Sequence, residues 1–60
     1  MESHHNMTFP HSVAVMNELA VHRIDFAVRY EDDTTVTVSV PERFRLRVEQ
    51  VVTRLDLLVA

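Results

Sequence analysis

Residues 23–40 read RIDFAVRYEDDTTVTVSV and alternate between apolar and polar side chains on both sides of an acidic triplet. The apolar members of the alternation are Ile24, Phe26, Val28, Tyr30, Val36, Val38 and Val40. A period of two is typical of strands that bury one face, and a polar cluster between two such runs predicts a hairpin. We therefore expect an antiparallel β-hairpin with one apolar face.

The register of this hairpin is constrained because opposed residues of an antiparallel pair lie on the same face of the sheet. A two-residue turn would oppose apolar to polar side chains. A three-residue loop over residues 31–33 instead opposes Val28 to Val36 and keeps the two faces separate. Such loops usually end in a left-handed residue, a conformation that Asp tolerates better than most residues. We therefore expect a positive φ at Asp33.

The segment before the hairpin predicts a helix that ends near His22. Pro10 suits a helix start, and Ser12 belongs to the residue types that cap helix N-termini. On a helical wheel one face carries Val13, Val15, Met16, Leu19 and Ala20. Ala14 and Val21 widen the apolar surface beyond one core contact, so we expect Val21 to meet a partner. The alternative is that both are isolated apolar residues on the surface.

A second helix is predicted after the hairpin. Residues 39–42, SVPE, have the form of a capping box with a proline in the first turn. Residues 43–48 alternate like a strand, but a helical arc of roughly 100° collects more of the apolar residues that follow. These are Phe44, Val48, Val51, Val52 and Leu55. Residues 56–60 either end this helix or form a closing strand.

The predicted elements make a two-layer α+β fold, in which two helices cover one face of an antiparallel β-hairpin. Residues 1–9 form a polar tail or a short first strand, and residues 10–60 form a single small α+β domain. If both terminal segments are strands, the order becomes βαββαβ, a ferredoxin-like pattern.

Two stretches fit the arrangement of a known family. FPHSVAVMNELAVHRIDFAVRY, residues 9–30, occupies the place of the first helix and second strand of an ACT-type regulatory domain. LRVEQVVTRLDLLVA, residues 46–60, occupies the place of its last helix and strand. On these patterns the chain resembles a minimal ACT-like module. The resemblance implies a small ligand, such as an amino acid, bound by turns around the first helix, here Pro10-His11 and His22-Arg23, where the family has glycines that this chain lacks.

Size and composition predict self-association. A 60-residue domain buries only about 60% of the surface that its unfolded chain exposes. The chain has no Cys, so neither a disulfide nor a thiolate metal site can stabilise it. Yet 47% of the residues are hydrophobic. Surplus apolar surface and open strand edges invite a second chain, so we expect a homodimer whose sheet is extended by dimerisation.

Charge and hydropathy exclude several classes of function. The net charge is −3 with neutral histidines, so no overall basic field attracts nucleic acid or an anionic membrane. No segment approaches the ~18 apolar residues of a membrane span, and no apolar run of a secretory signal stands near the N-terminus. We expect a cytoplasmic protein with no membrane partner.

Catalytic and metal-binding patterns are absent from the sequence. His4 and His5 are adjacent, but two neighbouring histidines do not make a closed metal site. No serine stands in a nucleophile motif, and the acidic triplet at residues 31–33 is typical of a solvated turn. We expect no enzymatic activity, no metal and no cofactor.

The most informative polar feature lies on the second predicted helix. Arg43, Arg47, Gln50 and Arg54 follow the spacing i, i+4, i+7, i+11 and form one row beside the core face. None of these arginines has an acidic residue three or four positions away. We expect carboxylates from elsewhere, either the 31–33 triplet of the same or a neighbouring subunit or an acidic partner protein. The alternative is an ordinary solvated face.

These observations lead to three hypotheses of function. The first is a non-catalytic protein–protein interaction module, an adaptor, inhibitor or assembly element, that acts as a homodimer and binds its partner through the arginine row and Val21. The second is an ACT-like regulatory domain that binds a small ligand. The third is a nucleic-acid accessory protein that uses the arginine row.

Overall fold

The structure is a computed structural model that describes residues 1–59. Its elements are β1 (Glu2–Thr8), α1 (Phe9–Val21), β2 (Ala27–Tyr30), β3 (Thr35–Pro41), a 3-10 turn (Glu42–Phe44) and α2 (Arg45–Val59). The strands form one antiparallel sheet in the order β1-β3-β2. This is the expected α+β class, with a three-stranded sheet rather than a hairpin alone.

The helices cover one face of the sheet, as predicted. In β3 every second side chain is buried, namely Val36, Val38 and Val40. The same core contains Met7, Val15, Leu19, Ile24, Val48 and Val51. The helices run antiparallel, because the start of α1 contacts the end of α2 through His11 and Asp56, and the end of α1 contacts α2 near its start through His22 and Arg47.

Residues 2–8 form a strand and not a tail. β1 pairs with β3 over its whole length, from Glu2 opposite Pro41 to Thr8 opposite Thr35. Its alternation was hard to recognise in the sequence because the side that faces the helices carries Ser3 and a half-buried His5 together with one apolar residue, Met7.

The hairpin register differs from the predicted one by two residues. Val28 lies opposite Val38, not Val36. The loop has four residues, 31–34, and the Asp32 carboxylate closes it by accepting hydrogen bonds from the backbone N–H groups of Thr34 and Thr35, both at 2.8 Å. A shift of two residues preserves the faces, so the apolar pattern alone could not detect it.

The predicted positive φ at Asp33 is also wrong. The side chain of Asp32 supplies the hydrogen bonds that hold the loop, so no left-handed residue is needed there. Among residues 1–59 the positive φ is at Arg23, 57°. Arg23 ends α1 in a Schellman motif, in which the Ile24 N–H bonds the Leu19 carbonyl at 2.9 Å and the Arg23 N–H bonds the Ala20 carbonyl at 3.1 Å.

This helix end shortens the predicted second strand. Ile24 is buried directly after the turn, where it packs in the same core as Leu19 as the hydrophobic contact of the motif. The strand then begins at Ala27. Ile24 is therefore a core residue, as expected, but outside the sheet.

Both predicted helix caps are wrong. α1 begins at Phe9, after Thr8, and Ser12 lies inside the helix, where it is buried and its hydroxyl donates to the Phe9 carbonyl at 2.6 Å. Ser39 remains in β3, so residues 39–42 make no capping box. Pairing of β3 with β1 through Pro41 delays the start of α2 and overrides the local capping pattern.

The buried face was predicted correctly for α2 but only in part for α1. In α1 the buried positions are Ser12, Val15 and Leu19, whereas Val13 and Ala20 are exposed. In α2 the predicted face is right: Val48 and Val51 are buried, and Phe44, Val52 and Leu55 pack against the core.

Residues 56–59 continue α2 and do not form a closing strand. Of the two predicted alternatives, the helix end is therefore the correct one. Ala60 lies outside the described residues. The element order over residues 1–59 is therefore βαββα, without the closing strand of a βαββαβ pattern.

Candidate interaction surfaces

The outer face of α2 leaves two large apolar side chains in solvent. Leu46 is 63% exposed and Leu57 is 73% exposed, on the side of the helix opposite the buried Val48. Gln50 and Thr53 lie between the two leucines, and all four line a shallow depression along this face. We call these four residues the α2 seam.

The predicted arginine row flanks this seam and is exposed throughout. Arg43 lies in the 3-10 turn, with its guanidinium carbon 4.8 Å from the centre of the Phe44 ring. Gln50 and Arg54 line the seam depression. The ion pairs found among residues 1–59 include Arg29 and Arg45 but not Arg43, Arg47 or Arg54. The row thus lacks intrachain carboxylate partners in the described part of the chain.

The acidic hairpin loop of the same subunit lies too far away to supply a carboxylate to Arg47. Asp33 lies near His11 at the start of α1, whereas Arg47 contacts His22 just beyond the end of that helix. A helix of this length separates the two sites by about 20 Å. Of the expected sources, the loop of the same subunit is therefore wrong for Arg47.

Arg47 is held by the end of α1 through a shared nitrogen. The Nε2 atom of His22 lies 3.4 Å from Nη1 of Arg47 and 3.1 Å from Oε1 of Glu18. The nitrogen accepts from Arg47 when it carries no proton and donates to Glu18 when it does, so the two bonds alternate. Val21, the other predicted partner residue, precedes His22 in the sequence and is 75% exposed.

The opposite flank of α2 is acidic. Residues two positions apart are separated by about 200° around a helix, which places Glu49 across the seam from Arg47. Glu42 and Asp56 stand seven positions before and after Glu49 on the same flank. The carboxylates of Glu49 and Glu42 both act on His5 of β1, and Asp56 bonds His11 at 3.0 Å. α2 thus carries arginines on one side of the seam. The other side is mainly acidic, although Arg45 lies there and pairs with Glu42 at 3.5 Å.

Sequence analysis overlooked this acidic flank. The signal was present as the spacing of Glu42, Glu49 and Asp56, two heptads in a helix whose apolar face had been identified. Ion-pair partners three or four positions from each arginine of the row do not include these acidic residues, so the i±3 and i±4 rule does not detect the flank.

A polar groove of about 350 Å³ lies between β1 and α2, lined by His4, His5, Asn6, Glu49, Val52 and Thr53. Consecutive strand residues point to alternate faces, so a groove that all of residues 4–6 line must follow the strand edge. The other edge of β1 is paired with β3. The groove therefore follows the outer edge of β1, one of the two edges of the sheet.

The two adjacent histidines serve different faces. His4 bonds Ser39 on the open face of the sheet at 2.6 Å, while His5 bonds Ser3 on the side of the helices at 2.6 Å. Burial lowers the pKa of His5, against the opposing effect of Glu49 and Glu42. No group of three or more potential metal-ligating side chains is found within residues 1–59.

The chain matches no protein family, no curated protein and no solved structure. Its function is therefore inferred from its own surfaces. None of the helices within residues 1–59 combines the length and the apolar character that a membrane crossing requires.

Proposed function

We propose that this chain is a non-catalytic protein–protein interaction module that acts as a homodimer. The α2 seam is the observation that carries the proposal, because Leu46 and Leu57 stand largely in solvent on one helix face. A small domain has little apolar surface to spare, and exposed apolar residues at helical spacing are typical of an interface. A second copy that covers the seam removes both leucines from water.

A second part of the proposal concerns the partner. Arg43 and Arg47 are exposed near the start of α2, and Gln50 and Arg54 continue this row along the helix. Arg47 contacts His22, the residue that follows the exposed Val21 at the end of α1. An acidic protein surface complements it, and such complementarity acts mainly on association rate and orientation.

The homodimer is tested by sedimentation equilibrium from about one micromolar to about one millimolar, the range in which weak dimers dissociate. We expect self-association, and we expect Leu57→Ser to weaken it at least about tenfold because both copies lose a buried side chain. Leu58→Ser is the matched control, since it removes an equally exposed leucine of the same helix, 77% exposed and outside the seam. A chain that stays monomeric at the highest concentration contradicts the proposal.

The partner surface is tested separately by charge reversal. Arg43→Glu lowers affinity for an acidic partner, whereas Arg29→Glu, on the far edge of the sheet, leaves it unchanged. A partner that binds both variants with equal affinity does not use the arginine row.

A small-ligand role is the second candidate, favoured by a depression of about 500 Å³ at the start of α1. It is lined by Thr8, Phe9, Pro10, His11, Asp33 and Thr34, and so includes the Pro10-His11 turn where the ACT resemblance implies ligand contacts. Thermal unfolding with amino acids at millimolar concentration tests this role, since a ligand that binds the folded state raises the midpoint. A midpoint that stays constant in every amino acid contradicts it.

The nucleic-acid hypothesis has less support. Glu49 stands on α2 across the seam from the arginines, with Glu42 in the 3-10 turn before it, and phosphates that approach the row would meet these carboxylates.

A further inference from the structure

We propose that two copies of this chain pair through α2 in a parallel orientation, as a short two-stranded coiled coil. This inference rests on the proposed homodimer and specifies its geometry. It is argued from the spacing of the α2 seam, from the signs of the charges on its two flanks, and from the position of the seam opposite the intrachain core.

The seam has the spacing of a coiled-coil interface. Leu46, Gln50, Thr53 and Leu57 are separated by four, three and four residues, the alternation that defines the a and d positions of a heptad. Leu46 and Thr53 are then d positions, and Gln50 and Leu57 are a positions. The intrachain core uses the opposite side of the helix, around Val48, so the seam is free to meet a second helix.

The flanking charges occupy the e and g positions of the same heptad. Arg47 and Arg54 are e positions, and Glu42 and Glu49 are g positions. The depression on this face is lined by the seam together with one g residue, Glu49, and one e residue, Arg54. Residues that flank a coiled-coil seam in this way set partner choice and orientation.

A parallel pair joins opposite charges. In parallel coiled coils a g residue meets the e residue five positions further along the partner helix. Glu49 of one copy then meets Arg54 of the second copy, and two-fold symmetry repeats the pair. Glu42 and Arg47 have the same five-residue spacing, but Glu42 lies in the 3-10 turn and pairs with Arg45 at 3.5 Å. The Glu49–Arg54 pair therefore carries the charge argument.

An antiparallel pair joins like charges. In that orientation e residues face e residues and g residues face g residues, so Arg47 would meet Arg54 and Glu49 would meet Asp56. The flanks therefore favour the parallel orientation. The second copy also supplies the carboxylate that Arg54 lacks within residues 1–59.

Gln50 contributes to the register. In the parallel pair it lies opposite its own copy across the two-fold axis, where the two amides can bond each other. A polar residue at an a position fixes register at some cost in stability. The seam spans fewer than two full heptads, so we expect a weak, reversible dimer.

Cysteine cross-linking tests the orientation, and the absence of native cysteine makes single variants clean. Parallel pairing brings Gln50 next to Gln50 of the second copy, whereas antiparallel pairing brings Gln50 next to Thr53. We expect Gln50→Cys to form a disulfide dimer at least about tenfold faster than Thr34→Cys, a loop variant that reports random collision. Equal rates, or faster cross-linking in a mixture of Gln50→Cys and Thr53→Cys than in Gln50→Cys alone, overturn the parallel arrangement.

Charge exchange tests the ion pairs. Glu49→Arg and Arg54→Glu each replace two attractive contacts by repulsive ones, so each weakens the dimer about fivefold or more at low salt. The double variant Glu49→Arg/Arg54→Glu restores the pairs with reversed polarity and regains most of the affinity. A double variant that remains as weak as the single ones overturns the assigned contacts.

The outcomes separate this inference from the proposed function. A dimer that Leu57→Ser weakens but that fails the cysteine and charge tests leaves the interaction module standing and removes the parallel geometry. A chain that is monomeric throughout removes both. Circular dichroism of each variant at low concentration shows that loss of pairing is not loss of the fold.

Discussion

α1 and α2 are of similar length, but they use their surfaces differently. α1 packs on β3 and β1, ends in a defined turn at Arg23, and has both its ends in polar contact with α2. α2 buries only one side, around Val48, and leaves an apolar seam between flanks of opposite sign. One helix is thus used mainly to build the domain. The other has the surface on which a partner can act.

The different roles of α1 and α2 are tested most strongly by making the same substitution, leucine to alanine, on each helix. Leu19 of α1 is fully buried and Leu57 of α2 is largely exposed. Leu19→Ala should lower the free energy of unfolding by about 2–5 kcal/mol, because it deletes core contacts and leaves a cavity. Leu57→Ala should change it by less than about 0.5 kcal/mol. Urea unfolding at low protein concentration measures both, and equal losses contradict the division between the helices.

Substitutions of the buried Ser12 test whether this residue lies inside α1 or caps the start of the helix. Ser12 lies inside α1, so Ser12→Gly should be less stable than Ser12→Ala by about 1 kcal/mol, the cost of glycine in a helix. Were Ser12 an N-cap, glycine would be tolerated better than alanine. Thermal unfolding of the two variants decides between these positions.

The turn at the end of α1 carries a residue that does not suit it. Arg23 has a φ of 57°, which costs a non-glycine residue about 1 kcal/mol. Arg23→Gly should recover most of this energy and raise the midpoint of thermal unfolding. Arg23→Ala keeps the unfavourable geometry and serves as the control, so equal stability of the two variants argues against the left-handed turn.

The smallest expected effect is the pH dependence of the free energy of unfolding that arises from His5, on the side of the domain where β1 faces α2. Burial lowers the pKa of His5, while Glu49 and Glu42 oppose the shift and Arg45 and His4 add to it. A lowered folded pKa means that the unfolded chain takes up the proton first. His5 therefore has no effect on stability above its unfolded pKa of about 6.5 and reduces stability as the pH falls below it.

The variant His5→Gln tests this contribution. Between about pH 7 and pH 5 the wild type should lose about half a kcal/mol or less relative to His5→Gln, because the side chain remains partly solvated. A wild type that loses no stability relative to His5→Gln over this range contradicts the pKa direction.

Part of the fold could be predicted because its signals are local. The alternation in residues 24–40 identified the buried side of β3, and the arc from Phe44 to Leu55 identified α2 despite the strand-like residues 43–48. In both cases the apolar pattern repeats often enough to determine a period. The arginine row followed from the same helical spacing, and the structure finds it exposed.

Other features depended on contacts between distant residues. β1 has too few apolar side chains to be identified by itself, and it forms because β3 offers an edge along its whole length. Ser39 could not cap α2 because β1 held residue 39 in the sheet. The acidic flank can be recognised as an exposed surface only when it is known that α2 buries the side around Val48 and exposes the opposite side.

The sequence alone determined which side chains of β3 and α2 leave water, since that follows from periods of two and 3.6 along a single chain. The same periods were wrong for Val13 and Ala20 of α1 and for Phe26 and Tyr30 of the hairpin, which are exposed. The tertiary structure decided the hairpin register, the strand at residues 2–8 and the roles of Ser12 and Ser39. A register shift of two leaves every side chain on its original face, so the apolar pattern is the same in both registers. Only the loop hydrogen bonds to Asp32 and the pairing with β1 distinguish them.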